Sequence, residues 1–340
     1  MLWLALIFGL FPLAQQPALP AAPAISIPAQ PAEPFGPWLE TLAAEARARG
    51  FSDELVTRTL GGLEPLPQVI KSDRSQAELN PGFTRYASAR VTRAMVRSGR
   101  EHAQTHADVL RRIEADFEVQ RRFVLAIWGM ESRYGRLTGR TPVFRALATL
   151  AWEPRRSDFF RGELFDALSM VARGHIEPAA MTGSWAGAMG QTQFMPSSYL
   201  KYAVDFDHDG RRDIWRSTDD ALASIASYLH GYGWNNEETW GREVRVSPTV
   251  RAAIQTAVPQ RSEGCYAIRN MTVRVPLERW RALGVVRVDG GPLPRADVEA
   301  GLVEVGPRAF LVYPNYDAIL GYNCAHYYAL TVALLSDQLK

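Results

Sequence analysis

Apolar positions recur at helical spacing through the first two thirds of the chain. Over residues 38–63, Leu39, Leu42, Ala43 and Ala46 fall on one face, and Gly50 followed by Phe51 and Ser52 ends one helix and caps the next, which predicts a helix pair. Residues 81–116 carry Tyr86, Val91, Met95 and Leu110 among many Arg and Ala, an amphipathic pattern with one solvated face. Helices are then expected over 123–134, 144–150, 158–173, 195–204 and 218–232. After Trp240 the period changes to two: β-branched residues alternate with polar ones at 243–246 and 271–275, and shorter runs follow at 284–288, 303–305 and 309–312. Gly and Pro separate these runs, so about five antiparallel strands are expected before a final helix over 326–339. The pattern predicts a mainly α protein of the α+β class.

Composition narrows the picture. The 340 residues are 47% hydrophobic and 22% charged, which excludes disordered, collagen-like and coiled-coil chains and suits about two domains. Thirty-eight Lys+Arg against 36 Asp+Glu leave a net charge of +2, too balanced for a dedicated nucleic-acid binder. Residues 2–14 form an apolar run shorter than the roughly 20 residues a membrane helix needs. It reads as the core of an export signal without a basic leader, with small residues at Ala18, Ala21 and Ala22 as cleavage points. No Cys stands near it to carry a lipid, so a periplasmic product is expected, retained at the inner membrane if the signal stays uncleaved. The expected organisation is a signal or anchor over 1–25, a Pro/Ala linker over 26–35, a helical lobe over 36–120, a catalytic core over 121–241, a small β lobe over 242–314, and a helical segment over 315–340 that packs back on the core.

Three segments carry candidate chemistry. The apolar helix from Phe123 has no acid until Glu131, beside Trp128 and Met130, where partial desolvation raises a carboxyl pKa and suits it to hold a proton near neutral pH. Glu153, Asp158, Glu163 and Asp166 are candidates for a second carboxylate by proximity in sequence only, and none has a comparable setting. The block 183–199 (GSWAGAMGQTQFMPSSY) alternates small residues with two Gln, a composition that allows close backbone approach to a sugar and supplies amide donors and acceptors. Asp205, Asp207, Asp209 and Gly210 match the start of an EF-hand loop, with the Arg211 backbone carbonyl as a further ligand. Loop position twelve is Arg216, so the closing carboxylate must come from Asp219 or Asp220. Calcium is the expected cofactor, with no organic one. Cys265 and Cys324 either form one disulfide or are two buried small residues. His102 and His106 have a metal-capable spacing but fall on a solvated helix face.

In this order and spacing the segments resemble the lytic murein transglycosylase B family. The resemblance rests on DRSQAE at 73–78, GMESRYG at 129–135, PRRSDFF at 154–160, the 183–199 block, DFDHDGRRDIW at 205–215, DALASIASYLHGYGW at 220–234 and YNCAHYYAL at 322–330. It implies a lysozyme-like α core with a helical lobe and a small antiparallel β lobe. It also implies cleavage of the β-1,4 bond between N-acetylmuramic acid and N-acetylglucosamine, with the muramoyl C6 hydroxyl closing a 1,6-anhydro ring.

By the same resemblance Glu131 is general acid and then base, Ser184 and Gln193 hold the sugar and orient Glu131, and Tyr228 lies near the cleavage subsite. Arg155 and Arg156 would face the glycan, Tyr322 and Asn323 belong to the C-terminal block, and Tyr86 is a weaker match that also suits helix packing. Asp220 is favoured as the closing acid of the calcium loop. The chain departs from the family pattern at Ala325, where a Ser is usual, and carries no separate glycan-binding module. The implied partners are glycan strands, with cell-wall synthesis or division proteins as candidates, and the chemistry needs only a monomer. A hydrolytic muramidase and an inactive peptidoglycan-binding protein are the alternative functions.

Overall fold

The structure, a computed structural model, describes residues 33–75 and 82–340. The export signal, most of the 26–35 linker and the end of the 73–78 block lie outside the described residues. Helices α1 (Phe35–Ala48), α2 (Asp53–Leu60) and α3 (Pro67–Ser75) precede α4 (Phe83–Arg90), α5 (Arg93–Thr105), α6 (Ala107–Phe117) and α7 (Arg121–Ser132). Strand β1 (Thr141–Pro142) leads to α8 (Val143–Trp152), α9 (Ser157–Ala172), β2 (Thr182–Gly183), α10 (Pro196–Tyr202) and α11 (Thr218–Gly231). The β region comprises β3 (Gly241–Arg245), α12 (Pro248–Ala257), α13 (Tyr266–Arg269), β4 (Val275–Pro276), α14 (Leu277–Ala282), β5 (Val286–Arg287), β6 (Glu299–Val305) and β7 (Arg308–Val312). Helices α15 (Asn315–Tyr322) and α16 (His326–Gln338) close the chain. The expected helix pair is present: Gly50 takes φ 93° and Ser52 accepts from the Leu55 N–H at 3.2 Å.

Helix α7 is the axis of the molecule. Phe123 to Ile127 are essentially inaccessible, as expected for a helix apolar on every side, and α5, α6, α11 and α16 surround it. Its core continues into the inner face of the sheet through Val303, Phe310 and Val312. A second core joins α1–α3 to α8–α10, and a third lies between the outer face of the sheet and α12 and α14. The stretch 36–120, expected to be one lobe, is therefore divided. Leu39, Leu42 and Val56 are buried against α8 and α9, whereas Phe83, Leu110 and Ile113 are buried against α7 and its neighbours. The apolar stripes of α1–α3 find their cover in helices that come about a hundred residues later, which periodicity does not reveal.

The five-stranded sheet runs β4-β6-β7-β3-β5 with every pair antiparallel. The run 271–275 differs from expectation, since only Val275 enters a strand. Thr272 is instead clamped to Leu302, donating its N–H to the Leu302 carbonyl at 3.2 Å and accepting the Leu302 N–H on Oγ1 at 2.8 Å. Alternation there reflects one buried clamp rather than a continuous ladder. Likewise 284–288 contracts to β5, because the chain turns back at Gly290 with φ 87°.

Candidate active site

Glu131 occupies the last turn of α7, whose end is sharply fixed. Arg133, Tyr134 and Gly135 take φ of 50°, 60° and 78°, and the Ser132 hydroxyl accepts the Gly135 N–H at 3.0 Å. Tyr134 folds back between α5 and α7 and donates its hydroxyl to the Met95 carbonyl at 3.1 Å. A Cβ at Gly99 or Gly129 would collide with the Tyr134 ring, so both positions must stay bare for the turn to close.

The turn presents Glu131 to a groove of about 770 Å³ between α4, α5 and the end of α7, with Arg90, Met95, Ser98 and Arg136 among its walls. Glu131 is the one acid that lines it among the described residues. Burial pushes its carboxyl up to about 7, against which the Tyr328 hydroxyl, donating toward the carboxylate, acts to lower it. The Tyr328 hydroxyl is buried with no hydrogen-bond partner in place among the described residues, and the Glu131 carboxyl is the charged group it feels most strongly.

Three tyrosines feel the charge of this carboxyl: Tyr86 of α4, Tyr322 of α15 and Tyr328 of α16. Tyr86 and Tyr322 were expected at the site; Tyr328 was not singled out, although it stands in the same C-terminal block. Its position five residues after Asn323 gave no local signal of where α16 would place it. Tyr86 also packs on Tyr327, with the Arg90 guanidinium 3.6 Å above its ring. The Tyr322 hydroxyl donates to the Thr192 carbonyl at 2.7 Å, and its ring lies 4.6 Å from Tyr228. Tyr228 is buried and spends its hydroxyl on the Gly321 carbonyl at 2.6 Å, so it buttresses the Tyr322 turn. Asn323 is exposed at the end of α15.

The Gly/Gln block wraps the loop after Glu131. Buried Gln191 accepts the Trp128 indole N–H at 3.0 Å. Gln193, at φ 52°, donates its amide to the carbonyls of Thr138 and Gly190 at 3.1 and 2.9 Å, which leaves its Oε1 free to accept. Ser184 Oγ accepts the N–H groups of Ala186 and Ala188 at 3.3 and 3.1 Å and keeps its own proton available. Gly139 comes so close to the Gly183 carbonyl that a Cβ would clash, and β1 and β2 pair beside it.

Other expected groups are engaged elsewhere. Arg155 and Arg156, expected to face the glycan, both bind Asp73, a fully buried carboxylate on α3 that their charges hold below the usual range against its burial. Glu153 is buried and accepts from Arg74 and the Arg155 N–H, while Glu163 accepts from the N–H and hydroxyl of Ser197 at 2.9 and 2.7 Å, capping α10. These acids are structural and do not line the Glu131 groove.

Asp205, Asp207 and Asp209 bring a carboxylate oxygen each within 4.8 Å of one another. Three hard oxygen donors at alternating positions, with Gly210 at φ 89°, fit a divalent hard cation. Asp220 is buried with its oxygens turned to the N–H groups of Phe206 and Asp213, both at 2.7 Å, so it braces the loop rather than pointing at the cluster. Asp219 sits beside it in the first turn of α11. The Arg211 N–H binds Asp209, folding the loop so that its backbone follows the three acids.

Cys265 and Cys324 form a disulfide with Cα atoms 6.3 Å apart, which ties the start of α13 to the residue after Asn323.

A family profile described as the transglycosylase SLT domain matches residues 34–337. The chain is 30% identical over 298 residues to the membrane-bound lytic murein transglycosylase B of Escherichia coli (strain K12), covering 83% of this chain and 77% of that one. Among solved structures it resembles SltB3 from Pseudomonas aeruginosa in complex with NAG-anhNAM-pentapeptide, with TM-score 0.80 and 40% identity over 90% of this chain and 80% of that one. It also resembles the Escherichia coli lytic transglycosylase Slt35 in complex with calcium, with TM-score 0.74 and 27% identity over 89% and 92% of the two chains. The lysozyme-like α core with a small antiparallel sheet is common to them.

Proposed function

The chain belongs to the transglycosylase SLT domain family of lytic murein transglycosylases, and on that footing we propose that Glu131 alone cleaves the β-1,4 bond between N-acetylmuramic acid and N-acetylglucosamine in peptidoglycan, without adding water. The protonated carboxyl gives its proton to the glycosidic oxygen as the C1–O bond breaks. The carboxylate so formed takes the proton of the muramoyl C6 hydroxyl as that oxygen bonds to C1, giving a 1,6-anhydro end and restoring the acid. The nucleophile belongs to the substrate, so proximity replaces an activated water.

The observation that carries this reading is a groove that holds a single acid among the described residues, with a pKa of about 7. Hydrolysis of the usual kind takes a second carboxylate about 5 to 9.5 Å away. Tyr328 would steady the carboxylate formed midway, and Ser184 and Gln193 would offer a hydroxyl donor and an amide acceptor to the N-acetyl sugars. Asp205, Asp207, Asp209 and the Arg211 carbonyl would hold calcium, which would neutralise the three acids and stiffen the loop that Asp220 braces. Export to the periplasm is supported by the N-terminal apolar run and by a disulfide that persists in an oxidising compartment. Replacement of Glu131 by Gln tests the assignment: turnover of purified sacculi should fall to background while glycan binding persists, and substantial remaining turnover would overturn it.

A further inference from the structure

Residues 83–105 hold five Arg against one acid, Glu101, in a chain whose net charge is only +2. The corner between α4 and α5 divides this charge between two grooves. One side, with Arg90, faces Glu131. The other opens into a separate groove of about 810 Å³ against the end of α16. Its apolar lining is of small and branched residues, Ala87, Val91, Val96 and Leu334, and its charged lining of Arg93, Arg97, Arg100 and Arg308 against a single acid among the described residues, Glu101. Two of these guanidiniums are fixed: Arg100 donates twice to the Gln338 carbonyl, at 3.0 and 2.9 Å, and Arg308 is bidentate on Glu243, at 2.6 and 2.7 Å. Two are available: Arg93 has no ion pair among the described residues, and Arg97 only approaches Glu101 at 4.0 Å.

We propose that this second groove binds the free carboxylates of a peptide branch of peptidoglycan, on a strand other than the one lying over Glu131. The proposal rests on the peptidoglycan reading above. Planar guanidinium forks match carboxylates, and the apolar lining of the same groove suits small side chains such as alanine. Single-stranded nucleic acid would call for stacking aromatics, and none line the groove among the described residues. A membrane surface would call for protruding large apolar side chains, and those exposed among the described residues, Leu137, Phe159, Tyr232, Tyr266 and Val288, all lie elsewhere.

The test is a titration of the full chain with a sugar-free pentapeptide of the peptidoglycan type bearing free carboxylates, and with its amidated counterpart. The acidic peptide should bind, weaken as salt rises, and lose about tenfold or more in affinity to Arg93→Ala/Arg97→Ala. The lysine pair Arg93→Lys/Arg97→Lys should be intermediate, because it keeps charge without the fork. Glu131→Gln should bind the peptide as the wild type does, and the arginine variants should still cleave peptide-free glycan, so failure here is separable from failure of the catalytic assignment. Undiminished binding by both arginine variants, equal binding of the amidated peptide, or binding to phosphatidylglycerol vesicles in place of the peptide would each overturn the proposal.

Discussion

Trp128 donates its indole N–H to Oε1 of Gln191 at 3.0 Å inside the protein, joining the helix that bears Glu131 to the loop that faces it. Replacement of Gln191 by Leu keeps the volume but leaves that N–H buried and unpaired. We expect a loss of about 1–3 kcal/mol of stability, read as a lower denaturation midpoint. Turnover should fall further than the unfolded fraction explains, and a variant as stable and active as the wild type would show that the two elements are held by other means.

Burial of Glu131 has a cost that depends on pH. With a folded pKa of about 7 against an ordinary 4.5, the folded state holds the proton more tightly, so stability is lost as pH rises from about 4.5 to 7 and remains lost above. The difference is of order 3 kcal/mol. Glu131→Gln should therefore be more stable than the wild type at pH 8 and nearly equal to it at pH 4, by thermal unfolding at the two pH values. An equal gap at both would mean that the charge is not the cause.

Tyr328 supplies a donor that favours the carboxylate, so Tyr328→Phe should raise the Glu131 pKa further. The first step needs the protonated acid. In the wild type kcat/KM should drop as pH passes about 7, and in the variant the drop should move to higher pH. A purely structural tyrosine would lower the rate without moving the profile.

The Cys265–Cys324 bond closes a loop of 59 residues beside Tyr322 and Asn323. Reduction, or Cys324→Ser, should lower stability by about 4 kcal/mol by the chain-entropy argument and raise KM through the loosened Tyr322 turn. Equal melting curves with and without reductant would remove the bond from the account.

Calcium removal should lower the melting temperature, with saturating ion restoring about 2 to 3 kcal/mol at a hundredfold excess over Kd. Asp207→Asn should blunt that response while leaving the Glu131 pH profile in place. A melting temperature indifferent to chelator would refute the ion site.

What could be read from the chain follows from the range of the interactions. Glu131 stood out because its helix is apolar on every side, and that pattern is written within a dozen neighbouring residues. The five strands were legible from alternation, except where Thr272 imitates a strand residue while clamping Leu302. Tyr328, the pairing of Arg155 and Arg156 with Asp73, and the division of 36–120 between two cores depend on contacts between segments far apart in sequence. Loop position left Asp219 or Asp220 to close the ion loop and the family resemblance favoured Asp220; the fold turns its oxygens to the N–H groups of Phe206 and Asp213.

The central claim is that one buried acid and no water perform the cleavage, and product mass tests it most directly. Digestion of purified sacculi by the wild type should release muropeptides one water lighter than hydrolytic products, absent from a parallel digestion with Glu131→Gln. Products carrying the added water would contradict the account and require a second catalytic group in the Glu131 groove.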